Sequence, residues 1–114
     1  MRQTSNLYKA LSDQSRLRIL MMLQERSLCV CEIVEILGLA NSTVSKHLSI
    51  LRNTDLIMDE KDGRWVNYRL STSRESDLIS GVIKQLNEQL QDDKIIQQDR
   101  QALTEVDRFH ICST

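Results

Sequence analysis

The hydrophobic period of this chain changes at two places, and those places constrain its fold more than any bulk property. Up to Thr54 apolar residues recur every three or four positions, the spacing of helices that bury one face. In "LIMDEKDGRWVNYRL" the period drops to two. Val66, Tyr68 and Leu70 alternate with Trp65, Asn67 and Arg69, as in a half-buried strand. Asp62-Gly63 marks a hairpin turn back from residues 56–58. After Ser73 or Ser76 the helical period returns, with Ile79, Val82, Ile83, Leu86 and Leu90 on one face.

The helical part is itself punctuated. A short helix-compatible segment, residues 3–11, precedes Asp13, an N-cap for "QSRLRILMMLQER" with Leu17, Leu20 and Leu23 at helical spacing. A second helix is expected over about 30–37 with Val30, Val34 and Leu37 as its stripe, and Gly38 stands where a C-cap belongs. "NSTVSKHLSILRNTD" opens another helix, with Asn41 or Ser42 as the expected cap and Val44, Leu48 and Leu51 as the buried stripe. A last helical piece is expected over 95–106. The absence of proline and the three glycines agree with a helix-rich chain.

At 114 residues the chain is one domain's worth, so 1–114 reads as a single unit with a helical dimerisation segment and a C-terminal tail. No run approaches the ~20 apolar residues of a membrane span, and the N-terminus has no signal-peptide core. A cytoplasmic protein with no membrane partner is expected. Aromatic residues are only 4%, so the core must come from Leu, Ile, Val and Met, and a core this small gains from oligomerisation. Charge is uneven: residues 1–74 hold 11 Lys+Arg against 8 Asp+Glu, and residues 75–114 hold 4 against 8. The front part can meet phosphate; the acidic rear cannot do so as readily.

Two short helices broken by Gly38, then a hairpin with a charged tip, read as a winged helix-turn-helix: mainly α with a β-hairpin wing, in the order ααααββα. On the second helix of the pair Ser42, Lys46 and Ser49 point away from the core stripe, with Thr43 and Ser45 on the flanks. Such small polar and basic side chains can reach base edges and phosphates in a major groove. Lys61 and Arg64 at the hairpin tip, and Arg52, are expected to contact backbone phosphate. Any one of these residues alone is an ordinary solvated position; their order around a helix break and a hairpin makes the DNA-binding reading. His47 falls at the edge of the buried stripe, where it can hydrogen-bond at the core boundary, contact DNA or ligate a metal. No nucleophile–base constellation is present, so an enzyme is not expected.

"SLCVCEI", residues 27–33, holds Cys29 and Cys31; the third cysteine is Cys112. Buried structural thiols, a redox pair and a soft-metal site are all compatible with this spacing. On a regular helix residues i and i+2 lie about 200° apart, so both sulfurs can face one ion only if the helix at Cys29 and Cys31 is distorted. That distortion would reach the helix that carries the DNA reader.

"ALSDQSRLRILMML", "SLCVCEI", "STVSKHLSILRNTDLI" and "DGRWVNYRL" together resemble the ArsR/SmtB family of winged-helix metalloregulatory repressors, over most of residues 5–90. The resemblance implies a homodimer joined through the first and fifth helices, here Leu7 with Ile79, Val82, Ile83, Leu86 and Leu90. It implies double-stranded operator DNA as partner and release when a toxic metal or metalloid binds. The family often has Asp-Pro where this chain has Asp13-Gln14, which touches only a helix start. "LCVCEI" is similar to the arsenic-sensing box Leu-Cys-Val-Cys-Asp-Leu, but Val34 stands where such sensors often carry a third cysteine. Cys112, from the same or the partner subunit, is expected to supply the third sulfur for arsenite or antimonite. With His110 it could instead complete a four-coordinate zinc or cadmium site. The family's zinc site on the fifth helix has no counterpart, since residues 75–95 contain no histidine. No organic cofactor is expected. Thiol oxidation is the further alternative within this fold, and a protein-interaction module that ignores DNA is the alternative outside it.

Overall fold

The computed structural model describes residues 1–71 and 77–107, and in these the element order follows the period changes with one addition. Helices α1 (Arg2–Leu11) and α2 (Gln14–Glu25) are followed by a two-residue strand β1 (Leu28–Cys29). Helices α3 (Val30–Leu37) and α4 (Asn41–Asn53) come next, then strands β2 (Ile57–Asp62) and β3 (Trp65–Leu70). Helices α5 (Asp77–Leu90) and α6 (Lys94–Leu103) close the described chain. Ser73 and Ser76, the expected starts of α5, and the tail with His110 and Cys112 lie outside the described residues.

Capping chemistry sets most of these boundaries. Asp13 accepts a hydrogen bond from Arg16 N at 3.0 Å and starts α2. Gly38 ends α3 in the left-handed region, φ +69°, its N–H donating to Val34 O at 2.8 Å. Asp93 starts α6 by accepting from Ile95 N and Ile96 N. Helix α4 departs from expectation at its start. Its N-cap is Ala40, which has no side chain to offer, rather than Asn41 or Ser42. Its C-terminal stop is a Schellman arrangement built on a non-glycine residue. Asp55 sits at φ +63°, Asp55 N donates to Arg52 O, and Leu56 N donates to Leu51 O at 3.1 Å.

The core is aliphatic, as the composition requires. Ile19, Leu20 and Met22 of α2 lie at its centre, met by Ile33 of α3, Val44, Leu48 and Leu51 of α4, and Leu56 beside the sheet. On α3 the buried line runs through Ile33 and Leu37, while Val30 and Val34 are half-buried, a rotation of the stripe expected from spacing alone. Helix α6 lies across α2, fixed by a bidentate Arg18–Asp99 ion pair at 2.8 Å in which Asp99 is buried.

The sheet is the addition. Its order is β1-β3-β2, all antiparallel, so β3 is the middle strand with a neighbour on each edge. The burial of β3 lacks the clean in–out alternation its sequence implies. Trp65, Asn67, Tyr68, Arg69 and Leu70 are all half-buried, and Val66 is exposed. Gly63 makes the hairpin turn at φ +60°.

Candidate nucleic-acid interface and cysteine site

Helix α4 presents the polar face read from the sequence. Ser42, Thr43, Ser45, Lys46 and Ser49 are exposed, while Val44, Leu48 and Leu51 are buried on the opposite side. With Arg16 and Ile50, His47 and the first residues of this face line a shallow open hollow of about 500 Å³. His47 is half-buried and its Nδ1 lies 3.2 Å from Arg16 Nη1; an arginine can only donate, so Nδ1 is the acceptor. Arg16 is itself pinned to the end of α1 by bonds to Ala10 O at 2.8 Å and Lys9 O at 3.1 Å. His47 is therefore a boundary residue that fixes the reader helix to the α1–α2 corner.

Lys61 and Arg64 are exposed at the tip of the β2–β3 hairpin, as expected, and Arg64 stacks over Trp65 at 4.6 Å from the ring centroid. Arg52 behaves differently. It pairs with Asp59 at 3.1 Å and so ties the end of α4 to the base of the wing. Reader helix and wing are thus joined through a surface ion pair as well as through the core.

The cysteines do not sit as two residues of one regular helix. Cys29 is the N-cap of α3, with extended backbone at φ −91° and ψ 168°, and Cys31 lies inside the first turn. The expected i, i+2 conflict on a regular helix does not arise, because the helix begins between them. Cys29 is buried, 2% exposed, and takes the serine or threonine place in a capping box. Its sulfur accepts from the backbone N–H of Glu32, and Glu32 Oε1 accepts from Cys29 N at 3.0 Å. Cys29 also belongs to β1, where its partner across the ladder is Asn67 of β3. Cys31 is half-buried and disulfide-bonded; Cys29 is not in a disulfide.

Glu32 is 2% exposed and its charge is met by Arg26 Nη1 at 2.7 Å. Burial alone would push this carboxyl up, but the bond from Cys29 N, the Arg26 guanidinium and the Cys29 side chain together hold it below the usual glutamate range. Arg26 Nη2 continues to Leu103 O and Val106 O at 3.3 and 3.4 Å, joining the cysteine box to the end of α6. Nothing in the sequence spacing singles out Arg26 or Asn67. Glu32 alone had a signal, as the fourth position of a capping box.

Among the described residues no three Cys, His, Asp or Glu side chains are grouped to hold a metal ion. With Cys31 reduced, Cys29 and Cys31 would supply two thiolate sulfurs, a donor pair suited to a soft, thiophilic ion and insufficient for a closed tetrahedral zinc site. The expected third sulfur, Cys112, lies outside the described residues.

On the expected dimer face, Val82, Ile83, Leu86 and Leu90 are half-buried within one protomer. Leu7 and Ile79 are already buried inside it and have little surface left for a partner. Tyr8 and Leu78 are the large exposed residues on the same two helices. Among the described residues no helix is long and apolar enough to cross a membrane.

Two helices broken at a left-handed glycine, an exposed polar face on the second and a β-hairpin that follows them define a winged-helix fold. The chain belongs to the arsR family of bacterial regulatory proteins, whose model matches residues 13–58. It is 44% identical over 66 residues to the arsenical resistance operon repressor of Escherichia coli K12, covering 57% of this chain and 56% of that protein. It is 38% identical over 81 residues to the arsenical resistance operon repressor of Bacillus subtilis 168, covering 70% and 77%. Reduced HlyU from Vibrio cholerae N16961 superposes with a TM-score of 0.65 at 34% identity, covering 77% of this chain and 88% of that one.

Proposed function

We propose that this protein is a homodimeric repressor that binds double-stranded operator DNA and leaves it when arsenite or antimonite engages Cys29, Cys31 and Cys112. The observation that carries the reading is the dual position of Cys29. It caps α3, the first helix of the helix-turn-helix, and it lies on the sheet that carries the wing. A ligand that draws on this sulfur competes with the capping box and so acts on both DNA-contacting elements. The names of the E. coli and B. subtilis relatives support arsenical chemistry, although this chain spans little more than half of the former. Ser42, Thr43, Ser45, Lys46 and Ser49 would face the groove, with Lys61 and Arg64 on the flanking phosphates. A two-fold axis through α1 and α5 would cover Val82, Ile83, Leu86 and Leu90 and set the two readers about 34 Å apart.

A second reading is favoured by the disulfide at Cys31: thiol oxidation as the signal. Cadmium or zinc ranks below both because the described donor set is two sulfurs. Gel-shift release assays on the fully reduced protein, titrated with arsenite, cadmium and peroxide in parallel and paired with mass-spectrometric metal counting, test these readings. Release by arsenite at one equivalent per site supports the first. Release by peroxide alone replaces it with the second.

A further inference from the structure

The wing and the cysteine site share a residue pair. Cys29 stands directly across the ladder from Asn67, and residues so placed carry their side chains on the same face, with Cβ atoms about 5 Å apart. Asn67 Oδ1 is buried and accepts no hydrogen bond from the described residues. Its Nδ2 reaches toward Asp62 Oδ2 at 3.5 Å, and Asp62 pairs with Trp65 at the tip where Lys61 and Arg64 are presented.

We propose that Asn67 is the positioning residue through which the cysteine site acts on the wing. The inference rests on the reading that Cys29 is a ligand of the inducer. When Cys29 leaves its capping position, its pairing with Asn67 shifts, and β3 carries the shift to the tip. Two outputs then leave one sulfur: α3 moves the reader helix, and β3 moves the phosphate clamp. Leu28 holds the other half of the β1–β3 pairing against Tyr68 and is fully buried, so the short strand pivots on an anchored end.

The test uses reduced full-length protein, arsenite as the probe, and Asn67→Val, which keeps a good strand former in β3. Trp65 is the sole tryptophan and reports on the tip. Asn67→Val is expected to bind arsenite and uninduced operator within about threefold of wild type. It should lose most of the arsenite-induced change in Trp65 emission and need at least about tenfold more arsenite for half-release, within the usual range of coupling between two sites. A full Trp65 response with wild-type release overturns the proposal. So does a matching loss of arsenite affinity, which would make Asn67 a support of the site and not a transmitter. If the variant misfolds, amide exchange of wild type decides: arsenite must change protection in residues 65–70, and a change confined to residues 30–37 overturns it. The underlying reading fails separately, if Cys29→Ser binds arsenite as wild type does.

Discussion

The starts of α3 and α4 lie only eleven residues apart, yet they are built by opposite means. Helix α3 opens with a side-chain capping box, a buried carboxylate and an ion pair that reaches α6. Helix α4 opens on Ala40 with no side-chain cap, and its first turn of Asn41, Ser42 and Thr43 is exposed. The first is a closed network in which each polar group depends on another. The second has no side-chain cap, and the polar side chains of its first turn are exposed. A switch needs an arrangement that can be broken, and a reader needs one that is not yet made.

The contrast can be broken most sharply at Glu32. Glu32→Ala leaves the Arg26 charge without its partner and Cys29 N without its acceptor. We expect a loss of about 3 kcal/mol in urea unfolding, whereas Ser45→Ala should stay within about 0.5 kcal/mol. The pH dependence has a fixed sign. Because the folded state holds Glu32 below its ordinary value, its contribution is complete above the unfolded pKa and is lost as pH falls through the lower folded value. Glu32→Gln should flatten the acid limb of the stability curve measured by urea midpoint; an unchanged limb would mean the network carries little charge-dependent stability.

The reader side predicts the reverse pattern. Lys46→Ala should weaken operator binding by about tenfold and lower the salt slope by about one, with thermal stability unchanged. A drop in melting temperature would place Lys46 in the packing instead. Smaller effects come from the helix ends. Gly38→Ala forces a left-handed alanine into open space, so the expected loss is the backbone term alone, about 1 kcal/mol. Ala40→Ser supplies the cap that α4 lacks, and the extended backbone there, φ −64° and ψ 150°, already suits one. We expect a gain of about 0.5–1 kcal/mol by urea unfolding. A neutral result would show that the first turn of α4 is held by packing, not by its end.

Much of this was legible in the sequence because it is local. Asp13 and Gly38 act on backbone groups within four residues, and the Asp62-Gly63 turn fixes its own hairpin. The polar face of α4 followed from helical spacing, and the exposed tip from turn chemistry. The cap of α4 was misplaced because two good capping residues follow the one that occupies the position. The stop of α4 carries no glycine signal, because Asp55 takes the conformation usually given to glycine. Strand β1 was invisible: two residues carry no period, and only their pairing with β3 makes them a strand.

The sequence by itself determined the helices, the hairpin, the outward residues of the reader and the presence of two nearby thiols, since each depends on spacing along one short segment. Only the tertiary structure decided what those thiols are attached to. Cys29 became a helix cap because Glu32 and Arg26 closed around it, and a strand residue because β3 returned to pair with it from the far side of two helices. Long-range pairing is set by which buried surfaces fit together, and no local period records it.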